Sequence, residues 1–243
     1  LGQNQSGYTN ANGFYSIPVG PGGILSWHYY SVVVTPTKTG WLFTPADRTI
    51  APSGLTWSSQ SLPDFIGERM IPITGTIARG THAPLDLSGI SVSLTGGPNP
   101  YSASTNSGGF FLVYVKVGYT YTITPTKPGL IINSGTTGGP VTDSTNIVGL
   151  TATPIDVTFQ GTIAGLDYGT ATITMTGNYA DNTALTPYDL TGLVTTYNTT
   201  INNAGLGTFT LTPTAPGYEF NPKSATFSDI TSSPIRQNFA AKK

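Results

Sequence analysis

Few residues in this chain could do chemistry, and their spacing gives them little to work with. The two histidines, His28 and His82, lie far apart in sequence. Neither belongs to a His-x-x-x-His pair, and no Gly-x-Ser-x-Gly elbow occurs, so the metalloprotease and serine-hydrolase patterns are not met. The two glutamates, Glu68 and Glu219, are about 150 residues apart, and no aspartate stands out as the second member of a glycosidase pair. There is no cysteine, which excludes disulfides, thiolate catalysis and Cys-based zinc or iron–sulfur sites. Asp181, Asn182 and Asp189 form the best metal candidate, since hard oxygen ligands suit calcium. The competing reading is turn formation, which Asn and Asp also favour. The chain therefore reads as non-enzymatic, with no cofactor implied.

Aromatic residues offer the other candidate surface. Trp27, Trp41 and Trp57 all fall in the first quarter of the chain. Trp27, Tyr29 and Tyr30 sit in an insertion and are candidates for an interface, a core or a carbohydrate-stacking platform, because amphipathic rings serve all three. Tyr8 and Phe14 join them as interface candidates. Trp41 reads as core, because it aligns with Leu130 and Tyr218 of the repeats described next.

Composition narrows what must position these residues. Only 9% of residues are charged, against roughly 25% in ordinary globular proteins. Formal net charge is −1 with no basic run, which argues against nucleic acid as a partner. No apolar stretch approaches the roughly 18 residues of a membrane-spanning helix. Aromatics at 11%, with 30 Gly and 19 Pro, suit short strands separated by turns rather than a disordered tract. The first residue is Leu1, and no charged-then-apolar leader follows it, which suggests a leader already removed or a piece of a longer protein.

A repeat is the strongest signal. Thr-Pro-Thr triplets begin at Thr35, Thr124 and Thr212, so they are 89 and 88 residues apart. Each is preceded directly by an apolar residue, Val34, Ile123 or Leu211, and followed by a Gly and a large apolar residue: Gly40-Trp41, Gly129-Leu130 and Gly217-Tyr218. Gly75-Thr76-Ile77-Ala78 matches Gly161-Thr162-Ile163-Ala164. Ile90 to Gly96 and Ala171 to Gly177 both alternate with period two, as half-buried strands do. Thr9-Asn10-Ala11-Asn12-Gly13-Phe14-Tyr15 matches Thr105-Asn106-Ser107-Gly108-Gly109-Phe110-Phe111, with Asn-Gly and Gly-Gly pairs that favour positive φ in tight turns. The third repeat departs from this order: a longer segment, Asn178 to Asn203, separates its second strand from Gly205-Leu206-Gly207-Thr208-Phe209, and the hairpin of the other two is expected to be recast there. No window carries a helical period, so almost no helix is expected.

Taken in order, these motifs resemble the carboxypeptidase-regulatory-like, or transthyretin-like, β-sandwich repeat of bacterial surface proteins, and are similar to the B-type repeats of adhesins and pilins. The resemblance implies tandem Ig-like or transthyretin-like sandwiches that act as stalks and spacers. Some relatives carry internal Lys–Asn isopeptide bonds, but the opening strands here have no Lys, so that bond is not carried over. The expected organisation is a first repeat over 1–70, a second over 71–154 and a third over 155–243. Proline in the linkers near Ile71-Pro72 and Thr153-Pro154 should stiffen the chain into a rod.

The first repeat lacks both a Gly-Thr-Ile strand and the alternating strand that follows it. Two readings account for this. In one, the strands precede Leu1 in a longer array; in the other, a neighbouring subunit donates them by strand addition. The expected function is an extracellular structural protein, a filament or stalk subunit whose partners are copies of itself or a strand-donating neighbour. The alternatives are an adhesin that binds surface glycan through the first-repeat aromatics, or a spacer of a larger surface protein.

Overall fold

The structure is a computed structural model and describes residues 6–17, 31–51, 61–167 and 169–243. It is all-β, and the chain divides into a first unit, Leu1–Glu68, and a second unit, Arg69–Lys243. Trp27, Tyr29 and Tyr30, together with His28 and Trp57, lie outside the described residues.

The first unit contributes β1 (Val32–Val34), β2 (Trp41–Thr44), β3 (Arg48–Ile50) and the first three residues of β4 (Ile66–Arg79). β1 pairs antiparallel with β3 through Val32↔Ile50, Val33↔Thr49 and Val34↔Arg48. β2 pairs with β4, and Gly67 lies beneath the side chains of Trp41 and Phe43. None of the unit's described residues is buried. Arg48 helps hold it together: its Nη2 donates to the carbonyl of Asp64 at 2.9 Å and its guanidinium lies over the Phe65 ring.

The second unit holds two sandwiches. The first of them continues β4 and adds β5 (Ser91–Thr95), β6 (Tyr101–Ser104), β7 (Phe110–Lys116), β8 (Thr122–Thr126), β9 (Leu130–Ile132), β10 (Gly135–Thr136) and β11 (Thr145–Pro154). One sheet runs β10-β8-β5-β6, and the other places β7 and β11 on opposite edges of β4, with β9 beyond β11. Opening strand β4 and closing strand β11 are parallel. Period-two alternation sends one face of each strand inward, which gives a core containing Ile73, Ile77, Val92, Leu94, Phe111 and Tyr121.

The second sandwich comprises β12 (Val157–Ala164), β13 (Ala171–Asn178), β14 (Tyr188–Leu193), β15 (Thr196–Ile201), β16 (Thr208–Thr214), β17 (Glu219–Asn221), β18 (Ala225–Phe227), β19 (Ile235–Arg236) and β20 (Phe239–Lys242). Its sheets run β14-β13-β16-β18 and β15-β12-β20-β17, with the β19–β12 and β20–β12 pairs parallel. Phe159, Phe209, Met175 and Phe239 fill its core. The longer Asn178–Asn203 segment supplies β14 and β15, and β15 pairs with β12 in the place that β7 takes beside β4. The Gly205–Gly207 turn then leads into β16.

The outward faces explain the low charge. On β13, Thr172, Thr174 and Thr176 stand opposite Thr214, Thr212 and Thr210 of β16. β-Branched hydroxyls fit a pleated, half-exposed surface and replace the charges that usually cover it.

Candidate functional site

The described residues of the first unit carry parts of a sandwich without all of its strands. The turns at Asn10 and Asn106 are built alike. Asn106 N–H donates to the Phe110 carbonyl at 2.9 Å, Gly109 N–H donates to the Asn106 carbonyl at 2.9 Å, and Asn106 Oδ1 accepts from the N–H groups of Gly108 and Phe110 at 3.0 Å. Asn10 makes the same bonds: its N–H donates to the Phe14 carbonyl at 2.9 Å, its carbonyl accepts from Gly13 N–H at 3.0 Å, and its Oδ1 accepts from the N–H groups of Asn12 and Phe14. Gly13 and Gly109 both take the left-handed backbone that this turn requires, with φ of 79° and 78°.

What surrounds the two turns differs. In the second unit, Ile77 N–H on β4 donates to the Gly109 carbonyl at 3.0 Å. Thr105, 5% exposed, accepts from Ile90 N–H at 3.0 Å and donates its hydroxyl to the Leu87 carbonyl. The turn is thus anchored to the opening strand and to the segment that enters β5. In the first unit, Thr9 stands in the place of Thr105 and is exposed, and nothing lies within 4 Å of where a side chain on Gly13 would begin. Phe14 is 69% exposed and Tyr8 97%. β7 follows the Asn106 turn directly, whereas residues 14–17 form no strand.

The sheets differ in the same way. β8 lies between β5 and β10, and β16 between β13 and β18. Their Thr122↔Thr136 and Thr210↔Thr226 pairs correspond, by the Thr-Pro-Thr alignment, to Val33↔Thr49 of β1 and β3. β1 has no strand on its other edge among the described residues. In the second unit the closing strands β11 and β20 each run beside an opening strand, β4 and β12. Among the described residues of the first unit, no such strand is present. The aromatics Phe14, Trp41 and Leu42's neighbour Phe43 are therefore not sealed in a core, and Trp41, read as core from its alignment, is 38% exposed. Lys38 covers part of it, with Nζ 4.4 Å from the ring centroid.

The remaining candidates lie where the two sandwiches of the second unit meet. Ile155 N–H donates to the Gly129 carbonyl at 3.0 Å, Gly205 N–H to the Ile155 carbonyl at 2.9 Å, and the Leu206 side chain packs against Gly129. His82 reaches across from the first sandwich. Its ring stacks on Tyr179 with centroids 3.7 Å apart and planes 9° from parallel, and its Nδ1 is 3.3 Å from Asp181 Oδ2. Tyr179 in turn meets the core ring of Phe209 edge-on. Burial works against the charge on Asp181, but the hydrogen bonds from Thr183 and His82 outweigh it and hold the carboxyl below its ordinary range. Asn182 occupies the same turn with φ of 67°, and Asp189 lies on β14 opposite Thr174. Among the described residues, no three His, Cys, Asp or Glu side chains converge as a metal site would require. The contact leaves no local mark in the sequence, because His82 and Asp181 are 99 residues apart.

No family model and no curated protein sequence matches the chain, so the resemblance to the carboxypeptidase-regulatory-like repeat rests on the quoted motifs. Among solved structures, the chain is similar to the TIE protein of Bacillus anthracis at 11% identity and TM-score 0.49, covering 81% of this chain and 37% of that one. It thus spans little more than a third of that protein. A shaft pilin SpaA structure from Lactobacillus rhamnosus GG matches at 9% identity and TM-score 0.30, with 72% and 98% of the two chains covered. The minor pilin GBS52 of Streptococcus agalactiae matches at 10% identity and TM-score 0.30, with 71% and 96% covered.

Proposed function

We propose that this chain is a structural subunit of an extracellular, cell-surface filament or stalk, and that strands from a neighbouring chain complete its first repeat. The observation that carries this reading is the contrast within one repeat family. The first unit keeps the Asn turn, the strand that leads into the Thr-Pro-Thr triplet and the closing segment, but its described residues include no counterpart of the opening strand or of the second strand that pairs with β8 and β16 elsewhere. An open edge offers a row of backbone donors and acceptors, and strand addition satisfies them while covering apolar side chains. In the complete sandwiches the equivalent strands, β8 and β16, are paired on both edges. The charge-poor threonine faces and the absence of a converging ionisable cluster among the described residues fit a mechanical role better than a catalytic one.

Electron microscopy of native material, paired with light scattering on the isolated 243-residue chain, tests the proposal. Filaments in the native material and concentration-dependent assembly of the isolated chain are expected. A stably folded monomer whose first unit resists proteolysis as well as the second would overturn it. An intact mass showing two further strands within the same natural chain would leave a spacer in place of a self-assembling subunit.

A further inference from the structure

The two complete sandwiches display what fits the open first unit. In each, the opening strand carries a glycine beneath an aromatic ring from its antiparallel neighbour. A methyl group at Gly75 would sit 2.6 Å from the Phe111 ring and 3.1 Å from the Ile147 carbonyl of the closing strand. One at Gly161 would sit 2.9 Å from the Tyr197 ring and 1.6 Å from the Gln237 carbonyl. Gly75 pairs directly with Phe111, and Gly161 with Tyr197. The glycine is therefore required by close approach on two sides: the ring takes the volume a side chain would fill, and the closing strand bulges toward it.

The first unit holds the ring without the glycine. The matching Asn10 and Asn106 turns put Tyr15 in the place of Phe111. Tyr15 lies near Phe65 of the closing segment, with ring centroids 6.3 Å apart. Thr9 stands ready in the place of Thr105, whose hydroxyl is satisfied by Leu87 and Ile90 on the approach to the second strand.

Resting on the strand-complementation reading above, we infer that the first unit accepts a strand pair of defined chemistry. Its opening strand alternates apolar residues and places a glycine under Tyr15, running antiparallel to residues 14–17 and parallel to the closing segment. Its second strand pairs antiparallel with the open edge of β1 and sends apolar residues inward and Ser or Thr outward, as β5 and β13 do. The segment between the two strands offers Thr9 a backbone carbonyl and an N–H. The partner is thus a sandwich-opening segment of this repeat type, and any other extended apolar peptide is rejected at the glycine position.

A peptide with the sequence of Met70–Arg79 of this chain is the probe, added to the full chain during dilution from denaturant so that the edge is open to competition. One-to-one binding by calorimetry is expected. A peptide carrying Gly75→Val should bind at least about tenfold more weakly, and Tyr15→Ala in the chain should weaken the unmodified peptide about tenfold, as expected for loss of one buried aromatic contact. Equal binding of both peptides, or binding of neither, overturns the inference. If the peptide binds with the stated selectivity and native material holds no filaments, the assembly reading fails while the strand chemistry stands. If filaments form and neither peptide binds or shortens them, the reverse holds.

Discussion

Thr9 and Thr105 occupy equivalent places in turns with the same hydrogen bonds, yet one is exposed and the other is 5% exposed. The difference lies entirely in what stands beside them. Thr105 has β4 and the entry to β5 at hand, and Thr9 has neither among the described residues. The comparison extends outward from that pair. Phe111 is 1% exposed, whereas Tyr15 is only half-buried. Among the described residues, β8 has two neighbours and β1 has one. A turn of this kind is thus a local object that forms from its own residues. Burial, and with it most of the stabilisation, is a property of the strands that gather around it.

Substitutions at equivalent positions should break this comparison if it is wrong. The largest difference is expected at the aromatic under which the glycine lies. Phe111→Ala should cost about 3–5 kcal/mol in denaturant unfolding of the second unit, while Tyr15→Ala in the isolated chain should stay within about 0.5 kcal/mol. A Tyr15→Ala cost that rises once the strand-mimicking peptide is bound would sharpen the contrast.

Alkaline titration probes the second unit's closed cores. Burial pushes the hydroxyls of Tyr121 and Tyr197 up to about 12 from 10.0; for Tyr121 the neighbouring tyrosines Tyr101 and Tyr119 add to it, and its bond to the Lys116 carbonyl partly opposes it. A raised tyrosine value in the folded state means stability that is fully present below pH 10 and lost as pH rises through 12. Thermal unfolding of the second unit should therefore fall steeply over that window, and Tyr197→Phe should flatten the fall. An unchanged profile would show that these rings are less enclosed than the structure has them.

Thr105→Val should cost about 1–3 kcal/mol, because it strands Ile90 N–H and the Leu87 carbonyl without partners. Thr9→Val should be neutral in the isolated chain, and chemical denaturation of both variants side by side checks the pair. The smallest effect is expected where the two sandwiches of the second unit meet. His82→Ala removes one stacked ring and one polar contact and should cost about 1 kcal/mol. Because His82 lies on one sandwich and its partners Tyr179 and Asp181 on the other, the substitution should also broaden a single unfolding transition toward two, which calorimetry would register.

How much of this was legible beforehand depended on range. The Thr-Pro-Thr spacing, the alternation around Val92 and Ile173, and the Asn-Gly and Gly-Gly turns are local signals; in the second unit the strands lie where those signals put them, whereas in the first the Asn10 turn forms but residues 14–17 and 61–65 make no strand. The β14 and β15 strands fall inside the Asn178–Asn203 segment, but that segment lacks the turn signature shared by the other repeats, so their bounds are not legible in it. Trp41 was read as core from alignment alone, but alignment cannot say whether the rest of the core is present. Asp181 was considered for calcium, and its engagement with His82 could not be foreseen across 99 residues.

By itself, then, the sequence determined the all-β character, the repeat and the turns, because each depends on residues a few positions apart whose steric and hydrogen-bonding preferences act locally. Only the tertiary structure decided that opening and closing strands run parallel, that Gly75 and Gly161 lie beneath rings, and that His82 bridges two sandwiches. Those outcomes depend on which distant segments come together, and pairings across some 70 to 100 residues leave no periodic mark in the chain, because loop closure constrains their cost far more than their composition.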